Sequence, residues 1–173
     1  MRKVLVVGAA GMLGHAMMRY LAASDDVDVA GTVRADRLPA GFPAALAPLV
    51  ETGLDATDEG GLRRTLERVR PDVIVNCVGV IKQRPDGQDP EQTILVNALV
   101  PPRLARLAAD TGARLVHLST DCVFSGAAGG YTEDSVPDAR DFYGRSKLLG
   151  EVTEGEAITL RTSIIGPELG PGL

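Results

Sequence analysis

The stretch VLVVGAAGMLG, from Val4 to Gly14, decides the fold of this chain. Four apolar residues, three of them valines, predict a short buried strand, and glycines spaced GxxGxxG lead from it into a predicted helix over 11–23. Such a turn brings backbone N–H groups and a helix N-terminus close to a pyrophosphate, and side chains at Gly8, Gly11 or Gly14 would block that approach. The spacing differs from the GxGxxG of simpler dehydrogenases. Its position between a strand and a helix nevertheless indicates dinucleotide binding rather than a merely tight turn.

The same alternation of strand and helix continues along the chain. Short β-branched runs predict strands, and longer amphipathic stretches predict helices. Apolarity over four or five consecutive residues indicates strands buried on both faces, as in a parallel sheet covered by helices. The order therefore predicts an α/β fold, a three-layer doubly wound parallel sheet whose ligand site lies at the carboxyl ends of the strands. The predicted strands are 4–7, 27–32, 73–77, 114–119 and 157–162, with a weaker candidate near 50–54, and the predicted helices are 11–23, 58–69, 90–109 and 141–153.

A few residues mark where these helices begin or break. Asp58 and Asp89 are predicted N-caps, and Pro90 takes the first helical position after Asp89. Pro101 and Pro102 predict a kink or a split in the third helix.

Composition argues against several classes of function. At 173 residues, the chain is predicted to form one domain over 1–173. A net charge of −5 without a basic tract argues against nucleic acid or an anionic membrane as a partner, and no apolar run approaches the length of a membrane span. Cys77 and Cys122 lack the neighbours of a zinc site, so we expect no metal, and we interpret both as reduced, buried residues of a cytoplasmic protein.

The loop after the second predicted strand bears on the choice of cofactor. An acid that would bind ribose hydroxyls is missing there, and the sequence Gly31-Thr-Val-Arg34 supplies an arginine instead. An arginine suits a 2′-phosphate, which favours NADP(H), with NAD(H) as the alternative. A solvated loop arginine is the other interpretation. Asp55 and Ala56, after the weak strand candidate, could meet the adenine edge, although an acid there is also an ordinary turn residue.

Tyr143 and Lys147 are four residues apart in a predicted helix, so both side chains should lie on one face. An ammonium beside a phenol favours the phenolate and lowers the pKa of the phenol from about 10 toward that of a working acid or base. Thr120 follows the fifth predicted strand, where its hydroxyl could hold a substrate carbonyl. Cys122 as a nucleophile is disfavoured because no histidine is near it in sequence, and His117 is interpreted as a packed core residue.

Five segments in one order resemble the extended short-chain dehydrogenase/reductases, most closely the sugar-nucleotide branch that includes dTDP-4-dehydrorhamnose reductase. They are GAAGMLG at 8–14, VNCVG at 75–79, STDCVFSG at 119–126, YGRSKLLGE at 143–151 and LRTSIIG at 160–166. The resemblance implies an NAD(P)-binding Rossmann fold. It implies Tyr143 as catalytic acid/base and cofactor contact, Lys147 as catalytic, ribose-binding residue that lowers the pKa of the tyrosine, and Thr120 as the carbonyl-polarising hydroxyl. It assigns the pyrophosphate to Gly8, Gly11, Met12, Leu13 and Gly14, the adenine to Asp55 and Ala56, further cofactor contacts to Cys77, Val78 and Gly79, and support of the backbone to Asn97.

The resemblance also implies an oxidoreductase that reduces a 4-keto-6-deoxy nucleotide-sugar with NADP(H) in polysaccharide biosynthesis, and it leaves a homodimer open. Two alternatives remain: an epimerase or dehydratase of the same fold, and a non-catalytic NAD(P)-binding regulatory module. Cys122 and Ser125 replace the family's tyrosine and aspartate in STDYVFDG, and residues 80–83 also depart from it, which puts the sugar in doubt. Because family members continue past LRTSIIG, the chain is expected to be a fragment, a truncated product or a form without the C-terminal substrate region.

Overall fold

The computed structural model describes residues 1–81 and 89–169 and shows a parallel sheet of six strands in the order β3-β2-β1-β4-β5-β6. All five strand pairs are parallel, and the registers place Val7 beside Asn76 and Asn76 beside His117. The strands are β1 Arg2–Val7, β2 Val27–Thr32, β3 Val50–Glu51, β4 Val73–Asn76, β5 Arg114–Thr120 and β6 Ala157–Thr162. The helices are α1 Met12–Ala22, α2 Glu59–Val69, α3 Pro90–Ile94, α4 Val100–Thr111 and α5 Phe142–Leu149, with a π-helical turn at Leu95–Leu99 and 3-10 turns at Ala44–Leu49 and Asp121–Val123.

Helices cover both faces of the sheet, which confirms the predicted doubly wound α/β fold. On one face, Leu5, Ile74 and Leu115 pack in a core that includes side chains from α2 and α4. On the other face, Val6 packs with Met18 of α1. Successive valines of β1 therefore pack into two different cores, one on each face of the sheet. This explains why the strand is apolar at consecutive positions. Within the described part of the chain, no helix has the length and apolar character needed to cross a bilayer.

The predicted elements agree with the structure except at three places. The predicted helix over 141–153 ends at Leu149, so Glu151 lies beyond it. The candidate near 50–54 is a strand of only two residues, because the chain leaves the sheet at its edge after Glu51. The predicted helix over 90–109 is split into α3 and α4 by the π-helical turn. Pro101 and Pro102 lie in the first turn of α4, where a missing N–H is tolerated, so the split precedes them as the sequence predicts.

The two predicted N-caps behave differently. Asp89 accepts hydrogen bonds from the backbone N–H groups of Glu91 and Gln92, at 2.9 and 3.3 Å, which confirms it as the cap of α3. Asp58 takes the N-cap position of α2, but its side chain makes no capping hydrogen bond and instead pairs with Arg64 at 3.7 Å. The sequence therefore predicts the N-cap position of Asp58 correctly, but the structure lacks the capping hydrogen bond.

Candidate active site

A groove of about 310 Å³ opens at the carboxyl ends of β1 and β4. These strands are adjacent in the sheet but not in the sequence, so the connections on either side diverge and leave a crevice between them. The volume falls in the range of roughly 300–1,000 Å³ that is typical of ligand pockets. The groove is lined by eight of the predicted cofactor residues: Gly8, Gly11, Arg34, Asp55, Ala56, Cys77, Val78 and Gly79.

The three glycines of the first turn are required for different reasons. Gly8 has φ +89°, and a Cβ there would lie 2.9 Å from the Val78 side chain. A Cβ on Gly14 would overlap the carbonyl of Gly8. At Gly11, by contrast, a Cβ would meet only that same carbonyl at 3.6 Å, an ordinary contact. The fold itself needs glycine at positions 8 and 14, whereas the space in front of Gly11 is free for a ligand.

Three predicted pyrophosphate residues, Met12, Leu13 and Gly14, do not line the groove in the described part of the chain. Gly14 faces the Gly8 carbonyl instead, because this close approach lets α1 pack against the turn. Direct contact of these three residues with a pyrophosphate therefore stays a prediction.

The outer end of the groove carries two exposed arginines, Arg34 and Arg37. Asp55, in the same wall, is already hydrogen bonded, since its Oδ1 accepts from the N–H and the hydroxyl of Thr57, both at 2.8 Å. Sequence reasoning missed Arg37, although the motif Val-Arg-Ala-Asp-Arg, with two arginines in the loop after β2, was an available signal.

At the inner end of the groove, near Val80, the Asn97 side chain forms a set of hydrogen bonds that we call the polar clamp. Asn97, fully buried in the π-helical turn, accepts a hydrogen bond from Val80 N at 2.8 Å and donates to Val80 O at 2.9 Å and to the hydroxyl of Ser146 at 3.1 Å. One side chain thus ties the loop after β4 to α5, which confirms the expectation that Asn97 supports the backbone here. The neighbouring departure at 80–83 includes Lys82 and Gln83, which lie outside the described residues.

Lys147 lies beside this clamp, with only 4% of its surface exposed. Its Nζ donates a hydrogen bond to the carbonyl of Leu118 at 2.8 Å, and a Cβ on Gly79 would be 3.8 Å from Nζ. Burial lowers the pKa of Lys147 to about 8, while the negative charge of Glu151 acts in the opposite direction. Lys147 therefore adjoins the inner end of the groove.

Tyr143 and Thr120 are brought together as predicted, but the pKa of the phenol differs from the expectation. Burial raises the pKa of Tyr143, and the influence of the neighbouring Thr120 hydroxyl offsets only part of this effect. The expectation that Lys147 lowers this pKa is wrong for this structure, because the ammonium is directed to Leu118 and the nearby groups Cys122 and Asp121 raise the pKa further. The phenol is thus protonated at neutral pH, the form that can donate a proton.

The site contains two free cysteines, and burial keeps one of them, Cys77, protonated. Cys77 and Cys122 are unpaired, and both are half-buried rather than buried as predicted. Cys77 lies in the wall of the groove described above, and Cys122 lies in the wall of a second open groove, with Phe124 and Arg161. Burial raises the pKa of the Cys77 thiol to about 12. His117 is fully buried, as predicted, with its Nδ1 3.1 Å from Asn76 Nδ2, and burial lowers its pKa to about 3, so it is neutral. In the residues that the structure describes, no cluster of side chains could hold a metal ion.

The strand order, the glycine-rich turn and the groove at the switch point define the chain as a Rossmann-type α/β domain. A profile of the RmlD substrate binding domain family matches residues 1–167, and the chain belongs to that family.

Two kinds of named relatives are among the matches. The chain is 34% identical over 152 residues to methionine adenosyltransferase 2 subunit beta of Xenopus laevis, a match that covers 87% of this chain and 42% of that protein. It is 36% identical over 148 residues to dTDP-4-keto-6-deoxy-D-glucose reductase of Streptomyces niveus, covering 85% of this chain and 45% of that one. The crystal structure of dTDP-4-dehydrorhamnose reductase from Bacillus anthracis in complex with NADP superimposes with a TM-score of 0.73 at 25% identity, covering 92% of this chain and 52% of the other. The chain thus spans about half the length of these proteins.

Proposed function

We propose that the chain binds NADP(H) and reduces the keto group of a 4-keto-6-deoxy nucleotide-sugar, or forms the cofactor-binding portion of a protein that does so. The observation that carries this proposal is the position of a buried lysine, Lys147, at the inner end of the groove, on the same helix as a tyrosine whose pKa is influenced by the neighbouring Thr120 hydroxyl. A positioned acid, a carbonyl-binding hydroxyl and a cation are the groups that such a reduction requires.

The residues of the groove fit a dinucleotide. A pyrophosphate needs close approach to backbone N–H groups, and the free space at Gly11 permits it. A 2′-phosphate needs cations, and the exposed pair Arg34 and Arg37 supplies them. The NADP in the Bacillus anthracis structure agrees with this preference. A bound nicotinamide would supply the hydride.

Each of the three clustered residues takes one role in the proposed reaction. Tyr143 donates a proton to the carbonyl oxygen, and its raised pKa keeps it in the donating form. Thr120 orients that oxygen through its hydroxyl, which already accepts a hydrogen bond from Cys122 N at 3.1 Å and is fixed by it. Lys147 is held by Leu118 and would bind the ribose of the cofactor.

The name of the Streptomyces relative supports the substrate class, a 4-keto-6-deoxy sugar carried on dTDP. We further propose that the chain forms one domain, that it acts in the cytoplasm, where its two unpaired cysteines stay reduced, and that its product enters polysaccharide biosynthesis.

A second candidate function is a regulatory module without turnover. It is favoured by the 34% identity to a protein named as a subunit of a methionine adenosyltransferase. In that case the groove would bind its dinucleotide without reducing a substrate.

The proposed reaction is tested by incubating the purified chain with NADPH and a dTDP-4-keto-6-deoxyhexose while following the absorbance of NADPH. We expect stoichiometric consumption of NADPH, because each turnover of a reductase leaves one hydride in the product and one NADP⁺ in solution. An epimerase or dehydratase regenerates its nicotinamide within each turnover and would therefore show no net consumption of NADPH. NADPH binding without any change in the sugar supports the regulatory module instead.

The two arginines provide a test of cofactor choice. Replacing Arg34 and Arg37 together by alanine should raise the Kd for NADPH by about 10–100-fold, since charge-assisted hydrogen bonds contribute roughly 1.5–3 kcal/mol. The Kd for NADH should change little. Both constants are obtained by fluorescence titration, with Arg64→Ala on the outer surface of α2 as the matched control. An equal loss for NADPH and NADH would contradict the assignment of the arginines to a 2′-phosphate.

A further inference from the structure

A buried carboxylate just beyond α5 has no part in the roles assigned above. Glu151 has only 7% of its side chain exposed, and it accepts a hydrogen bond from the hydroxyl of Ser119 at 2.7 Å. Arg161 of β6 binds it in bidentate fashion, with Nε 2.9 Å from Oε1 and Nη2 2.7 Å from Oε2. This one side chain therefore joins the end of the helix that carries Tyr143 and Lys147 to β5, next to Thr120, and to β6.

Arg161 also contacts the loop after Thr120. Its guanidinium carbon lies 5.1 Å from the ring centroid of Phe124, and Phe124 is stacked on Tyr131 with centroids 4.3 Å apart. The loop is closed at its base, where Val123 O accepts the N–H groups of Asp138 and Ala139 at 3.1 and 3.0 Å. Glu151 and Arg161 thus connect this loop with α5.

Glu151 and Lys147 are held by consecutive residues of β5: the Ser119 hydroxyl donates to Glu151 at 2.7 Å, and Lys147 Nζ donates to the carbonyl of Leu118 at 2.8 Å. Among the described residues, three titratable groups interact electrostatically with Lys147: Cys77 directly after β4, His117 on β5 and Glu151 beyond α5. Burial keeps the Cys77 thiol and the His117 imidazole uncharged at neutral pH, with pKa values of about 12 and about 3. Of these three groups, only Glu151 carries a charge that stabilises the lysine ammonium.

We propose that Glu151 and Arg161 form a positioning pair for Lys147, in which Glu151 keeps the buried ammonium charged while Arg161 fixes Glu151 and offsets part of its charge. The importance of this pair for catalysis rests on the proposed role of Lys147. Neither residue of the pair needs to touch substrate or cofactor.

The charge of Lys147 can be measured directly because the chain has only three lysines, Lys3, Lys82 and Lys147. The ¹³Cε signal of Lys147 is identified by its loss in Lys147→Arg and is followed as a function of pH in the full chain. Glu151→Gln should lower its titration midpoint by about one pH unit, because an opposite charge is removed. Arg161→Met should raise the midpoint, because the carboxylate is then no longer partly neutralised. Ser119→Ala removes a hydrogen bond to Glu151 without changing any charge and should leave the midpoint unchanged.

Shifts of the Lys147 midpoint in opposite directions in Glu151→Gln and Arg161→Met support the proposal. Shifts in the same direction, or no shifts, overturn it and mean that Glu151 and Arg161 only connect the elements structurally. Circular dichroism establishes that each variant is folded. If Arg161→Met fails to fold, Arg161→Lys replaces it: the retained charge predicts a midpoint near that of the parent chain, and a shift as large as that of Glu151→Gln overturns the proposal. The titration needs no substrate, so a chain without reductase activity can still confirm it, and its failure leaves the proposed reaction untouched.

Discussion

Tyr143→Phe is expected to slow NADPH-dependent reduction of the keto-sugar by about 10²–10⁴-fold, the usual contribution of a positioned general acid. The substitution removes only the hydroxyl and leaves the aromatic ring in place on α5. The Kd for NADPH should stay within about twofold of the parent value, because the groove is lined by residues of other elements. Turnover is followed through NADPH absorbance at saturating substrate, and Kd by fluorescence titration.

The chain offers a matched control for this substitution. Tyr20 is 77% exposed on α1, and Tyr20→Phe removes a hydroxyl without touching the site, so its rate should equal that of the parent chain. Equal turnover in Tyr143→Phe and Tyr20→Phe would show that the phenol takes no part in proton transfer. A loss of NADPH binding in Tyr143→Phe would show instead that the residue acts through the cofactor.

The sheet was predictable because its signal is local. Valines at consecutive positions of β1 can be buried only between two layers, and a GxxGxxG turn after such a strand requires a helix packed closely against it. β3 was poorly predicted because two residues at the edge of a sheet leave almost no periodic signal. The split of the third helix was predictable from Pro101 and Pro102, but the π-helical geometry that turns Asn97 inward depends on its contacts with Val80 and Ser146.

The residues of the candidate site were easier to predict than their electrostatics. Spacing in the sequence places Tyr143 and Lys147 on one helix, but the pKa of each depends on burial and on charges that approach from other elements. The Lys147 ammonium binds the backbone carbonyl of Leu118, and a backbone contact of this kind cannot be predicted from a sequence pattern. The same is true of Glu151, whose importance is visible only once β6 brings Arg161 to it.

The largest effect on stability is expected for Gly14→Ala. A Cβ at this position would overlap the carbonyl of Gly8, and both groups belong to backbone that is fixed by the packing of α1 against β1. Relief requires movement of the helix, so we expect the free energy of unfolding to fall by about 3 kcal/mol, the upper part of the usual range for overpacking. For a domain of this size, the melting temperature should fall by roughly 6–12 °C.

Gly11→Ala is the matched control for this prediction, because it adds the same methyl group three residues earlier. Gly11 has φ −70°, which any residue adopts, and its Cβ would make only ordinary contact. Its free energy of unfolding should therefore stay within about 1 kcal/mol of the parent value, since the weaker helix cap and the lower entropy of the unfolded chain offset each other. The same variant should bind NADPH at least about tenfold more weakly, because the methyl group occupies the space in which a pyrophosphate approaches the backbone. Equal melting temperatures for the two variants would mean that α1 yields easily to the extra methyl group, and unchanged NADPH binding by Gly11→Ala would place the pyrophosphate away from this turn.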